Sequence, residues 1–314
     1  MNNLKTMKER VQEYLSYRRS LGFKHLIDGQ QLLRFANYVD SKNYYGPITE
    51  QIAVEWAKSS KKSSRLTWAG RLEIVSRLAK HLCIVEPGTQ IPPKGLFGQS
   101  RRRIKPYIFT LEEIQKILQE VKNLIPKNSF RQITFIYLFT LLYVTGLRIS
   151  EALNLLINDV DLESGILHIR QTKFNKSRLV PMDNSTVTAL SNYYKQREHY
   201  VLNATSSTFF VLDNGEPVKL RAAEYAFSRI RNSLGMGATL NGRIPRLYDF
   251  RHTFVCHRLL SWYEQGANIH QMLPYLSTYL GHVKVSDTYW YITGIPELMS
   301  IATKRFEQFY KSTI

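Results

Sequence analysis

The chain has 314 residues, 44% of them hydrophobic, enough for two domains that each bury a core and too many for a wholly disordered protein. Its formal net charge is +18, with 20 Lys and Arg against 8 Asp and Glu in residues 1–106 (+12) and +6 in the remainder, so a polyanionic partner is expected, with nucleic acid ahead of acidic membrane. Two separated cysteines, Cys83 and Cys256, exclude a disulfide scaffold and a four-cysteine zinc site. The charged opening Met1-Asn-Asn-Leu-Lys and an apolar stretch too short to span a bilayer (Ile133 to Val144) point to a cytoplasmic, nucleoid-associated protein with no membrane partner.

Residues 1–92 read as a helical bundle. Leu4, Met7, Val11 and Leu15 recur at helical spacing, with Gly22 as the stop. Asp28 can cap a second helix carrying Leu32, Leu33, Phe35 and Val39, and Thr49 a third containing Ile52 and Trp56. Leu72, Val75, Ala79 and Leu82 stripe a fourth. Lys61, Lys62, Arg65 and Arg71 sit away from these stripes, either as solvated charge or as phosphate contacts. Residues 93–107 read as a basic linker, because Pro93, Gly95 and Gly98 resist regular structure and Arg101-Arg102-Arg103 suits a nucleic acid backbone.

A second domain is expected over 108–314. Thr110-Leu-Glu-Glu113 has capping-box spacing ahead of Ile114, Ile117 and Leu118. An apolar helix follows over about Phe130 to Tyr143, broken at Thr145-Gly146 and resumed over Ile149 to Leu156. The period then changes to two, and Ile166 to Gln171 and Arg178 to Met182 read as strands flanking a hairpin turn at Lys173-Phe-Asn-Lys176. Helical patterning returns near Asn184 and runs to the end. The fold class is therefore mainly α with a small antiparallel sheet: an N-terminal helical bundle plus an α+β domain.

Four segments of this second domain carry chemistry. Arg148 lies in Thr-Gly-Leu-Arg-Ile-Ser-Glu, and Arg251 in Tyr-Asp-Phe-Arg-His-Thr-Phe. His282 closes Leu-Gly-His, and Tyr291 follows nine residues later. Guanidinium forks stay charged and bind phosphate oxygens bidentately, an imidazole can bond the phosphate or pass a proton, and a phenol is a nucleophile once assisted. Glu151, three residues after Arg148, can pair with it and hold it in place. Each residue also has an ordinary structural reading: an ion pair for Arg148, a satisfied core histidine for His282, packing for any of the 19 tyrosines. Tyr289 competes with Tyr291, but on a helix the two face different ways. A zinc site from His252, His257 and His282 finds no metal-ligand spacing.

In order and spacing these segments resemble the tyrosine recombinase (phage integrase) family over about residues 106–310, with the N-terminal bundle resembling its core-DNA-binding domain more loosely. The resemblance implies a site-specific recombinase or integrase that cleaves and rejoins duplex DNA through a 3′-phosphotyrosyl intermediate. No metal or nucleotide cofactor is implied, and a homotetramer would act in the synapse. It assigns catalysis to Arg148, Lys173, Tyr248, Arg251, His282 and Tyr291. Lys173 corresponds to the hairpin lysine that protonates the leaving 5′ oxygen, while Lys176 and Arg178 suit phosphate contacts.

Two features depart from the family pattern. Tyr248 stands where the family usually has histidine, which leaves the general base open; His252 is no obvious substitute, since the family has a histidine there too. Gly266 to Gly281 is about three residues longer than usual and contains Pro274, expected to alter a loop or helix joint near His282. Beyond Tyr291, Leu298, Ile301, Ala302, Phe306 and Phe309 mark an amphipathic helix that could pack in cis or on a neighbour. A DNA-binding homologue without catalysis and a type IB topoisomerase are the rival readings.

Overall fold

A computed structural model describes residues 5–59, 64–100, 106–170, 177–201, 206–238 and 243–294. The chain divides into two compact units, residues 1–104 and 105–314. Lys61, Lys62, Arg101, Arg102, Arg103, Lys173, Lys176 and the expected C-terminal helix fall outside the described residues.

In the first unit, α1 (Met7–Ser20), α2 (Leu26–Asp40), α3 (Glu50–Lys58) and α4 (Arg65–Leu82) enclose one core. Thr6, Thr49 and Ser64 cap α1, α3 and α4 by accepting from backbone N–H groups, and Thr6 with Glu9 completes a capping box. The expectation for α2 needs correction. Its N-cap is His25 in a left-handed conformation (φ 42°), and Asp28 lies inside the first turn. There Asp28 favours the helix dipole and pairs with Arg77 at 3.2 Å. Arg65 is exposed at the start of α4. Arg71 is half-buried beside Trp56, 5.3 Å from its ring centroid. The stretch before Arg101 packs on α4, with Phe97 edge-on to Trp68 at 5.6 Å.

The second unit comprises α5 (Leu111–Glu120), α6 (Phe130–Thr145), α7 (Ile149–Leu153), β1 (Val160–Asp161), β2 (Ile166–Ile169), β3 (Arg178–Pro181), α8 (Asn184–Tyr200), α9 (Leu220–Ser233), α10 (Asp249–Glu264), α11 (Ile269–Leu280) and α12 (Ser286–Gly294). The Thr110–Glu113 capping box starts α5. The three strands are antiparallel in the order β1-β2-β3, with Val160 opposite Leu167 and Leu167 opposite Val180. At two residues, β1 is too short to show alternation in the sequence. Pro274 does not form a joint but lies inside α11. It is close enough to the helix start that its missing N–H costs one bond, to the first turn.

The apolar helix α6 packs on α10 and α8. Phe109, Phe139, Phe227 and Phe250 form a four-ring cluster, with centroids 5.2 Å apart for Phe109–Phe250 and 5.9 Å for Phe139–Phe250. Phe250 is fully buried and immediately precedes Arg251, so the aromatic core fixes the start of α10. A second cluster joins Phe254, Val255 and Leu259 of α10 with Leu273, Leu276 and Leu280 of α11 and Tyr291 of α12. No helix among the described residues is long and apolar enough to cross a membrane.

Candidate active site

Two helix ends build the site. Helix α6 stops at Gly146 and α11 at Gly281, both left-handed (φ 62° and 68°). Such ends leave carbonyls without helical partners and carry partial negative charge. Arg251, only 1% exposed, bridges them: Nη1 donates to Gly146 O and Nη2 to Leu280 O, each at 2.8 Å. Burial, and then Arg148, lowers its pKa to about 10, so the guanidinium remains charged at neutral pH.

Arg148 is the residue that caps the N-terminus of α7, and Glu151 lies one turn on. The Arg148 backbone N–H donates to Glu151 Oε2 at 3.1 Å, and Nη1 to Oε1 at 2.7 Å. Nη2 reaches Gly281 O at 3.4 Å. Glu151 also receives both terminal nitrogens of Arg178, at 3.1 and 2.7 Å. Burial alone would raise the Glu151 carboxyl, but Arg178 and Arg148 outweigh it and hold the group below its usual range. Arg178 is therefore committed to the protein rather than displayed for DNA: its side chain is 10% exposed and its Nε donates to Tyr279 O at 2.8 Å. A Cβ on Gly281 would sit 2.8 Å from Arg178 Nη1, which explains a glycine there beyond its φ.

His282 follows directly, with its backbone N–H bonded to Ser277 O at 2.9 Å. Its Nδ1 lies 2.7 Å from the buried Thr288 hydroxyl. Burial, then Arg251 and Arg148, lowers its pKa to about 4, so the ring is neutral at pH 7. Tyr291 is 4% exposed on α12. Burial pushes its phenol well above the ordinary value, against the opposing pull of Arg251. The competitor Tyr289 is 41% exposed, with its ring near His270.

His252, passed over in the sequence, is the partner of Tyr291: Nδ1 lies 2.7 Å from the phenol oxygen. Burial, followed by Arg243, Arg251 and Arg246, lowers the His252 pKa to about 3. Tyr248 lies one turn before it, 39% exposed, with its ring edge-on to the imidazole at 5.1 Å. Among the described residues no group of three or more His, Cys, Asp and Glu could hold a metal ion.

With both histidines neutral, Arg148, Arg178 and Arg251 against Glu151 leave these four side chains with an excess of two positive charges. That excess suits a phosphodiester whose charge grows as it is attacked. Tyr291 feels both Arg251 and Arg148. The group can therefore bind a phosphate, offer it an oxygen nucleophile and receive the nucleophile's proton.

Residues 108–295 match the model of the phage integrase family. The Sinorhizobium fredii protein y4rB, whose name classes it with the integrases and recombinases, is 39% identical over 97% of this chain and 98% of its own. The tyrosine recombinase XerA of Pyrococcus furiosus is 30% identical over 64% of this chain and 62% of its own. In fold, the chain resembles XerH recombinase bound to a difH substrate after cleavage (TM-score 0.67, 20% identity, 97% of this chain and 86% of that one). It also resembles the Tn1549 transposon integrase bound to transposon end DNA (TM-score 0.67, 15% identity, 96% and 99%).

Proposed function

This chain belongs to the phage integrase family, and we propose that it is a site-specific recombinase that cleaves and rejoins duplex DNA with Tyr291 as nucleophile. The supporting observation is the Arg148–Arg251 pair, held by two helix ends, whose charges both act on Tyr291.

The scissile phosphate binds with its non-bridging oxygens toward Arg148 and Arg251. Tyr291 Oη attacks phosphorus, forms a 3′-phosphotyrosyl bond and releases a 5′-hydroxyl. When His282 Nδ1 accepts a hydrogen bond from the Thr288 hydroxyl, its Nε2–H is the donor to phosphate. Lys173 protonates the leaving oxygen, by the family resemblance. A 5′-hydroxyl from a second duplex reverses the step, and the bond energy is kept in the covalent intermediate. Exchange between two duplexes takes a tetramer, again by the resemblance, and integration of a mobile element fits the likeness in fold to the Tn1549 transposon integrase.

The test uses nicked duplexes tiled from the DNA on both sides of the chain's own gene, in which the cleaved strand loses a short 5′-hydroxyl fragment and cannot religate. The wild-type chain is expected to form a protein–DNA adduct that survives denaturation. A chain that binds these duplexes and forms none is a binding protein, and the proposal fails.

A further inference from the structure

The reaction needs a group to take the phenol proton, and position 248, where the family usually has histidine, is tyrosine in this chain. We propose that His252 is the proton acceptor for Tyr291, a catalytic role carried by the ring one helical turn after the vacated position. The inference rests on the proposed phosphotyrosyl chemistry.

His252 Nδ1 is 2.7 Å from Tyr291 Oη, within the range for direct proton transfer. Tyr248 is a phenol, a poor base near neutral pH. Its ring packs edge-on to the imidazole and thereby orients it. His282 has its own engagement, with Nδ1 on the Thr288 hydroxyl. The division of labour is then His282 toward the phosphate and His252 toward the nucleophile.

Charge supports the assignment. The groups facing His252 include Tyr248 and Arg251 of α10, Arg243 and Arg246 just before it (both paired with the buried Asp249 of α10, at 2.6 and 3.9 Å), His282 between α11 and α12, and Tyr291 of α12. Three of these are cations, and with burial they keep the imidazole neutral, which is the state able to accept a proton. In the Nε2–H tautomer, Nδ1 accepts the phenol hydrogen bond. The same cations would oppose an imidazolium in the free protein. A docked phosphodiester supplies the missing negative charge, so acceptance becomes favourable only with substrate in place. The phenol is itself hard to ionise in its buried setting, so the proton leaves as the new bond forms rather than before.

The step balances. As Tyr291 Oη bonds to phosphorus, the bond from phosphorus to O5′ breaks. The phenolic proton passes to His252 Nδ1, and the departing oxygen takes a proton from the general acid, assigned by resemblance to Lys173. On rejoining, the incoming 5′-hydroxyl returns its proton to the acid and His252 returns its proton to the phenol oxygen.

The experiment compares wild type, His252→Asn and His252→Ala on the same nicked duplexes, measuring adduct formation in a single turnover with duplex binding and thermal melting alongside. Asn keeps an acceptor near the Nδ1 position but cannot take up a proton. Both variants are expected to bind duplex and to lose about 10²–10⁴ in cleavage rate. Their rates should rise by about tenfold per pH unit, because hydroxide must now remove the proton, while wild type stays nearly flat from about pH 6 to 8. Recovery by His252→Asn to within about threefold of wild type would make the contact a positioning hydrogen bond and overturn the proposal. Faster cleavage by His252→Ala would make it a latch and overturn it too, as would loss of duplex binding in both variants. Absence of any adduct with wild type would instead sink the underlying recombinase reading.

Discussion

Arg251 donates through Nη1 and Nη2 to backbone carbonyls, at Gly146 and Leu280, and so can be buried without neutralising the charge a phosphate would meet. Arg148 and Arg178, by contrast, share Glu151. Removing that carboxylate strands Arg178, whose side chain is 10% exposed. Glu151→Ala is expected to destabilise the chain by about 3–5 kcal/mol in denaturant titrations. The same pair sets an acid limit. The Glu151 carboxyl titrates at 4.5 when unperturbed and below that when folded, so its contribution is complete above the unperturbed value and is lost as pH falls through the lowered one. Titrations from neutral pH to about pH 3 should show this loss in wild type and not in Glu151→Ala. An acid limb unchanged by the mutation would contradict it. The sequence marked Glu151 as a neighbour of Arg148 but not of Arg178, since that contact links α7 to β3 across 27 positions of chain and no local pattern encodes it.

At the scale of elements, two glycine-ended helices matter most. Gly146 is left-handed, and a Cβ there would collide with the Phe254 ring. Gly146→Ala should cost about 2 kcal/mol or more and lower the melting temperature by about 4–8 °C, with loss of activity as the Arg251 anchor shifts. A melt within about 1 °C of wild type would show that α6 can end there without glycine. Gly146 was legible because Thr-Gly interrupts an apolar helical pattern, and the threonine caps at Thr49 and Thr110 follow from side chains that bond nearby N–H groups, whereas the Thr6 cap and the helix end at Gly281 were not read from the sequence. Asp28, β1 and Pro274 were misread or missed. An acidic first-turn residue looks like a cap, a two-residue strand has no period, and proline near a helix start resembles a break. His252 was missed for another reason: its meeting with Tyr291 joins α10 to α12 across 39 positions, within a core shared with Leu273, Leu276 and Leu280 of α11, and no local pattern encodes it.

Over the whole molecule, the excess of +18 would act on DNA before any single contact does. If the chain neutralises about six phosphates, its affinity for duplex should fall by about 10³ between 50 and 200 mM salt, with a linear dependence of log K on log salt. A slope near zero in fluorescence anisotropy titrations would remove charge as the basis of binding. The two-part division and the mainly helical class were readable from hydrophobic periodicity and charge, whereas assembly of the site required α6, α7, α10, α11 and α12 to converge. The chemistry turns on one oxygen atom, Tyr291 Oη. Proteolysis of the trapped protein–DNA adduct, followed by mass spectrometry of the nucleotide-linked peptide, is predicted to place a 3′-phosphate on Tyr291, with no adduct from Tyr291→Phe. Linkage to another residue such as Tyr289, or an adduct that persists in Tyr291→Phe, would contradict the account.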